Sequence, residues 1–161
     1  ITFATTNPLS NMLTSDIQTI LNRDLFRWRE EINGYQNEAD LWELLPGTLN
    51  SAGNLTLHIV GNLRHFIGSV LGNSGYIRQR DLEFSQKNIS LEDLNNLIDL
   101  AVKEVNVALT QLDPARLQDE FPKEVSGQKR DTAFVLLHLQ GHLSYHLGQV
   151  NYHRRYFNSG N

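Results

Sequence analysis

Apolar residues recur at threes and fours along most of the chain, the spacing of amphipathic helices rather than the alternation of strands. Leu13, Ile17, Ile20, Leu21, Leu25, Trp28 and Ile32 are interspersed with Asp16, Arg23, Arg27 and Glu31, which predicts a helix over about residues 8–32 that ends at Asn33-Gly34. Leu55, Ile59, Leu63, Phe66 and Val70 share one side of a second helix expected from Ser51 to Leu71, set off by Pro46-Gly47 before it and Gly72-Asn73 after it. Gly61 and Gly68 lie on its other side, where they would admit a close neighbour. Ser90 and Asp93 have capping-box spacing, and the stripe from Leu94 through Ile98, Ala101, Val105 and Leu109 runs to Asp113-Pro114. Asp131 is a good N-cap for a fourth helix reaching about Phe157.

Four helices that each carry one apolar face bury those faces together only as a bundle, so the expectation is a single all-α four-helix-bundle domain over residues 1–161. Residues 72–89 form the informative connection. Extended, they reach up to ~60 Å, whereas the second helix is only ~32 Å long. A crossover of that length would leave the second and third helices parallel, and Tyr76, Ile77, Leu82 and Phe84 are the side chains expected to pin it to the body.

Composition narrows the function. With 18 acidic against 14 basic side chains and a net charge of −4, the chain has no basic tract suited to nucleic acid. The absence of cysteine excludes disulfides, thiolate metal sites and cysteine nucleophiles. No apolar run approaches the ~20 residues that span a bilayer and no signal-like segment opens the chain, so a cytoplasmic location without membrane contact is expected.

The histidines are the chemical lead. His138, His142, His146 and His153 crowd the fourth helix, and His58 and His65 sit seven apart on the second. On a wheel with 100° per residue, Val135, Leu139, Leu143 and Val150 centre near about 140°, and His142, His146 and His153 fall at about 80°, 120° and 100°, toward that apolar side. Their i, i+4 spacing lets the rings of His142 and His146 converge on one ion, but Leu143 stands where a zinc protease would carry its glutamate. His153 lies ~16 Å farther along the axis from His142. A third ligand must come from another helix, and azimuth alone does not choose between His58 and His65. Three imidazoles would leave positions open for water or substrate. The alternative is a hydrogen-bonded histidine cluster in the core, with His138 and His153 as packing or surface residues.

Three stretches carry a resemblance: Leu57-His58-Ile59-Val60-Gly61-Asn62-Leu63, the loop Gly75-Tyr76-Ile77-Arg78-Gln79-Arg80-Asp81-Leu82-Glu83-Phe84, and His142-Leu143-Ser144-Tyr145-His146-Leu147-Gly148-Gln149-Val150. Together they resemble the DinB-like (DinB/YfiT) superfamily. The resemblance implies an up-down-down-up four-helix bundle and a divalent metal, commonly zinc or nickel, held by His58, His142 and His146. It also implies frequent homodimers, and relatives that act as transferases or isomerases with a low-molecular-weight thiol such as bacillithiol or mycothiol. Tyr145 and Gln149 are candidate supports or substrate contacts, and Asn62 could orient a ligand or serve as a buried amide linking helices. Arg78 and Arg80 could receive an anionic cofactor's carboxylates or pair with Asp81 or Glu83 to fix the loop. The expected function is a metal-dependent thiol S-transferase or related hydrolase acting on a small molecule. Its competitor is a non-catalytic, stress-associated bundle or dimer with a structural ion or none.

Overall fold

The computed structural model describes residues 8–160, and the chain is all-helical over them, apart from two isolated backbone bridges, Glu120 with Asp131 and Val125 with Gln128. Residues 1–7 and 161, which the single-domain expectation includes, lie outside the described residues. The long elements are α1 (Pro8–Asn33), α2 (Ala52–Leu63), α4 (Leu91–Gln111) and α5 (Thr132–Asn158), with a short α3 (Arg80–Ser85) in the 72–89 connection. No helix among the described residues is long and apolar enough to cross a membrane.

Helix starts follow local chemistry. Ser51 Oγ accepts the amide of Asn54, Ser90 Oγ that of Asp93 and Asp131 Oδ1 that of Phe134, each satisfying an N–H that has no partner within its helix. The apolar stripes read from the sequence meet in one core that includes Ile17, Leu21, Leu25 and Trp28 of α1, Leu94, Ile98 and Val105 of α4, and Val135, Leu139 and Leu143 of α5. All 12 residues of α2 are buried, so this helix is surrounded rather than half-solvated.

Between the helices, polar side chains set register. Gln18 and Asn22 of α1 bond to Asn106 of α4, while Arg29 reaches Asp99 and Asn33 reaches Asn95, so the two helices run antiparallel. Asp24 of α1 accepts from Gln140 and Ser144 of α5, and Glu31 accepts from Asn151 and Arg154, a parallel ladder. Gln140 and Ser144, polar positions of α5, therefore face a buried carboxylate of α1.

Two local expectations change. Beyond Leu63 the second helix continues as a π-helical stretch, Arg64–Leu71, whose wider i→i+5 winding invalidates a 100° projection past that point. In the 72–89 connection, Tyr76 tucks under Arg64, 4.1 Å from guanidinium to ring centroid, and Phe84 packs 5.0 Å from the His58 ring. Ile77, however, is 82% exposed and Leu82 47%, so neither pins the segment. Asn54 does so instead: its buried Nδ2 donates to the carbonyls of Glu83 (3.0 Å) and Gln86 (2.9 Å), because a buried amide must find partners and the crossing backbone supplies them.

Candidate metal centre

Two neighbouring turns of α5 and one turn of α2 bring His142, His146 and His58 together. His142 Nε2 lies 3.2 Å from His58 Nε2 and 3.0 Å from His146 Nε2, and one nitrogen from each of the three rings falls within 4.8 Å of the others. His65, the alternative on the second helix, packs its ring against Phe66 instead, 4.8 Å between centroids.

The other ring nitrogens are already committed. His58 Nδ1 is 2.9 Å from Glu83 Oε2, and the Glu83 carboxylate also accepts two bonds from Arg78, at 2.6 and 2.8 Å. The nearest guanidinium nitrogen, 3.4 Å from Nδ1, is itself a donor, so Nδ1–H donates to the carboxylate and Nε2 presents a lone pair. Gly61 makes this possible: a Cβ there would sit 2.3 Å from Glu83 Oε1. His146 Nδ1 similarly donates to Gln149 Oε1 at 2.6 Å, leaving its Nε2 bare. Burial pushes the Glu83 carboxyl up, but the bonds from Arg78 and His58 outweigh it and hold the group below its usual range.

That donor set fits a cation better than a hydrogen-bonded cluster. With His58 and His146 both offering lone pairs, the single proton that His142 Nε2 can carry serves only one of them. Nitrogens each about 2.0–2.1 Å from one zinc ion stand about 2.9 Å apart at a right angle and about 3.4 Å apart at the tetrahedral angle. The 3.0 and 3.2 Å separations at His142 fall within that window. Burial, followed by the neighbouring rings of His146 and His58, drives the His142 imidazole down to about 4. Burial also lowers His146, against an opposing bond from Gln149. Both rings are neutral at pH 7, as ligation requires.

The remaining candidates fall at varied distances from the cluster. Tyr145 is exposed with its ring 5.2 Å from that of His146, while Gln149 orients that ring directly. Asn62 is 7% exposed and its Oδ1 has no hydrogen-bond partner. Arg78 is committed to Glu83, whereas Arg80 lies over the Phe84 ring at 5.4 Å. An open pocket of about 460 Å³ adjoins the cluster, lined by His58, His142, Asn62, Phe66, Arg80 and His138 among others. His138 is exposed and stacks parallel to His142 at 6.4 Å. His153 is buried in the core, accepting from Tyr35 Oη at Nδ1 and donating to the Glu43 carbonyl from Nε2. A larger groove of about 510 Å³ along α1 and α5 has Asp24 and Glu31 in its lining, each already paired with an arginine.

Sequence reasoning placed Glu83 only as a partner for the loop arginines. Its bond to His58 had one legible signal, the glycine three residues after that histidine, which leaves room for the carboxylate. No protein-family model, curated protein or solved structure matches the chain.

Proposed function

We propose that the chain is a DinB-like protein that holds one divalent cation, zinc or nickel, on His58, His142 and His146, and acts on a small molecule as a thiol-dependent S-transferase or related hydrolase. The observation that carries this reading is the convergence of three ring nitrogens, with the His58 and His146 rings held from their far sides by Glu83 and Gln149. The reading includes an up-down-down-up four-helix bundle, supported by the antiparallel α1–α4 and parallel α1–α5 ladders and by Arg64 of the second helix pairing with Glu104 of α4. A cytoplasmic location and a homodimer belong to the same proposal.

A bound divalent cation supplies Lewis acidity, lowering the pKa of a thiol or water held beside it. The protein's own groups do the positioning. Glu83 and Arg78 fix the His58 ring, Gln149 fixes the His146 ring, and the adjoining pocket gives a small molecule access to the His58 and His142 side of the cluster.

Metal analysis of protein purified without a histidine tag should find about one divalent ion per chain, and His146→Ala should release it. Stoichiometric retention by that variant would remove His146 from the set. A thiol-transfer screen with bacillithiol, mycothiol and glutathione against electrophiles then separates the enzymatic reading from a structural ion, which predicts metal-dependent stability without turnover.

A further inference from the structure

We propose that the exposed face of α5 is an interface with a second copy of this chain, the two α5 helices packing antiparallel about a twofold axis between Ser144 and Tyr145. This rests on the homodimer of the reading above and names the face that forms it.

The face is apolar and unpartnered. Phe134, Leu137, Tyr145 and Tyr152 are 45, 52, 66 and 73% exposed. At 100° per residue they fall, with Gly141 and Gly148, within an arc of about 80° on the side away from the buried Leu139, Leu143 and Val150. Residues 132–153 contain no Asp, Glu, Lys or Arg, so a helix face that ordinarily carries charge toward solvent has none. A Cβ on Gly141 or Gly148 would meet nothing within 4 Å, so packing inside the chain does not require either glycine. Each costs about 1 kcal/mol relative to alanine in a helix interior, and the close approach of a second backbone is what glycine there permits.

The order of these residues selects a second copy as the occupant. Gly141 and Gly148, Leu137 and Tyr152, and Phe134 and Arg155 share one midpoint, so turning the helix end over end sets each residue opposite its counterpart. Glycine then faces glycine and Leu137 faces Tyr152 twice. Arg155 is exposed, with its guanidinium 6.0 Å from the Tyr152 ring, and it meets the Phe134 ring of the partner copy. A chain of net charge −4 repels its copies, and this face brings no acidic group to the contact. At about 150–250 Å² per aromatic residue, the exposed fractions of Phe134, Tyr145 and Tyr152 amount to roughly 300–450 Å² per copy, or roughly 600–900 Å² for the pair. Leu137 and the flanking residues carry that to the ~1,000 Å² expected of a specific interface. The seam borders both candidate centres, because Tyr145 beside the twofold packs 5.2 Å from the His146 ring.

Sedimentation equilibrium of the full chain should show particles of two chains at about 10–100 μM, the range suited to an interface near the lower size limit. Gly141→Leu should weaken association by ~10-fold or more. In dilute, monomeric protein the same change should raise the thermal midpoint, since leucine is the better helix former and meets open space there. Leu137→Lys and Tyr152→Glu should each weaken association, and placing both in one chain should recover it at least ~10-fold over Tyr152→Glu alone. Those two positions lie ~22 Å apart along one helix, so they meet only across the twofold. A monomer throughout that range, association unmoved by Gly141→Leu and Tyr152→Glu, or a double variant no better than Tyr152→Glu would each overturn the proposal. Zinc content is read in the same samples: a monomer that holds one ion per chain sinks this interface and keeps the metal reading, while a dimer through α5 that takes up no zinc does the reverse.

Discussion

Replacing Glu83 with alanine tests the architecture of the candidate centre most directly. The carboxylate is 5% exposed and holds the Arg78 guanidinium, itself 12% exposed, by two bonds, and the His58 ring by one. Its removal strands a buried cation, a loss that costs about 3–5 kcal/mol when one partner of a buried pair is deleted. The His58 Nδ1–H also loses its acceptor, worth about 1–3 kcal/mol alone, but both losses flow from one group and do not simply add. For a chain of this size each kcal/mol moves the thermal midpoint by roughly 2–4 °C, so a fall of roughly 6–20 °C is expected in metal-free protein. Zinc affinity should drop by ~10–100-fold, because a ring without its far-side acceptor is free to turn or change tautomer. Glu83→Gln divides the two roles: its amide oxygen still accepts from His58, while Arg78 loses its counter-charge, so stability should fall more than zinc affinity. Adding Arg78→Ala to Glu83→Ala should recover part of the lost stability by removing the stranded cation. If Glu83→Ala costs under about 1 kcal/mol, as an exposed pair would, and leaves zinc affinity unchanged, the account of the centre is wrong.

Gly61→Ala should imitate the loss of Glu83, because its Cβ would fall 2.3 Å from the carboxylate oxygen; zinc competition should show weaker binding even though alanine is about 1 kcal/mol better than glycine in a helix interior. In a Glu83→Ala background the same change should do no further harm. Metal-free protein should lose stability as pH falls from about 6.5 toward about 4, since folding holds His142 down to about 4 and burial also lowers His146 and His153, so the unfolded chain takes up more protons across that range. Denaturation midpoints that stay flat over the range would refute this, and His142→Phe should shallow the slope. Tyr35→Phe should cost about 1–3 kcal/mol in chemical denaturation with no effect on zinc affinity, because it removes the 2.7 Å bond to a His153 nitrogen buried away from the centre.

The helices were legible because their signals are local: the apolar spacing, and caps such as Ser51, Ser90 and Asp131 that act within three residues of themselves. The His142–His146 pair was legible for the same reason, one turn of one helix. Choosing His58 over His65 was beyond a wheel drawn at 100° per residue, since the winding changes at Arg64 between them. Apart from Gly61, nothing local marked Glu83 as a support for His58, because its position depends on the path of the 72–89 connection, which Asn54 on α2 holds where the exposed Ile77 and Leu82 do not. Asp24 was missed because a lone carboxylate on an amphipathic helix reads as solvated, and only the parallel packing of α5 supplies Gln140 and Ser144 to bury it against.

The burial of α2 explains why chemistry collects there. A helix enclosed on all sides gives each of its polar side chains a problem to solve, since an unmatched one is destabilising. Thr56 solves it by accepting from the Trp28 indole at 2.9 Å, and Asn54 by holding the crossing backbone. His58 gives one nitrogen to Glu83 and turns the other toward His142. Asn62, one turn beyond His58, instead keeps its Oδ1 buried without a hydrogen-bond partner.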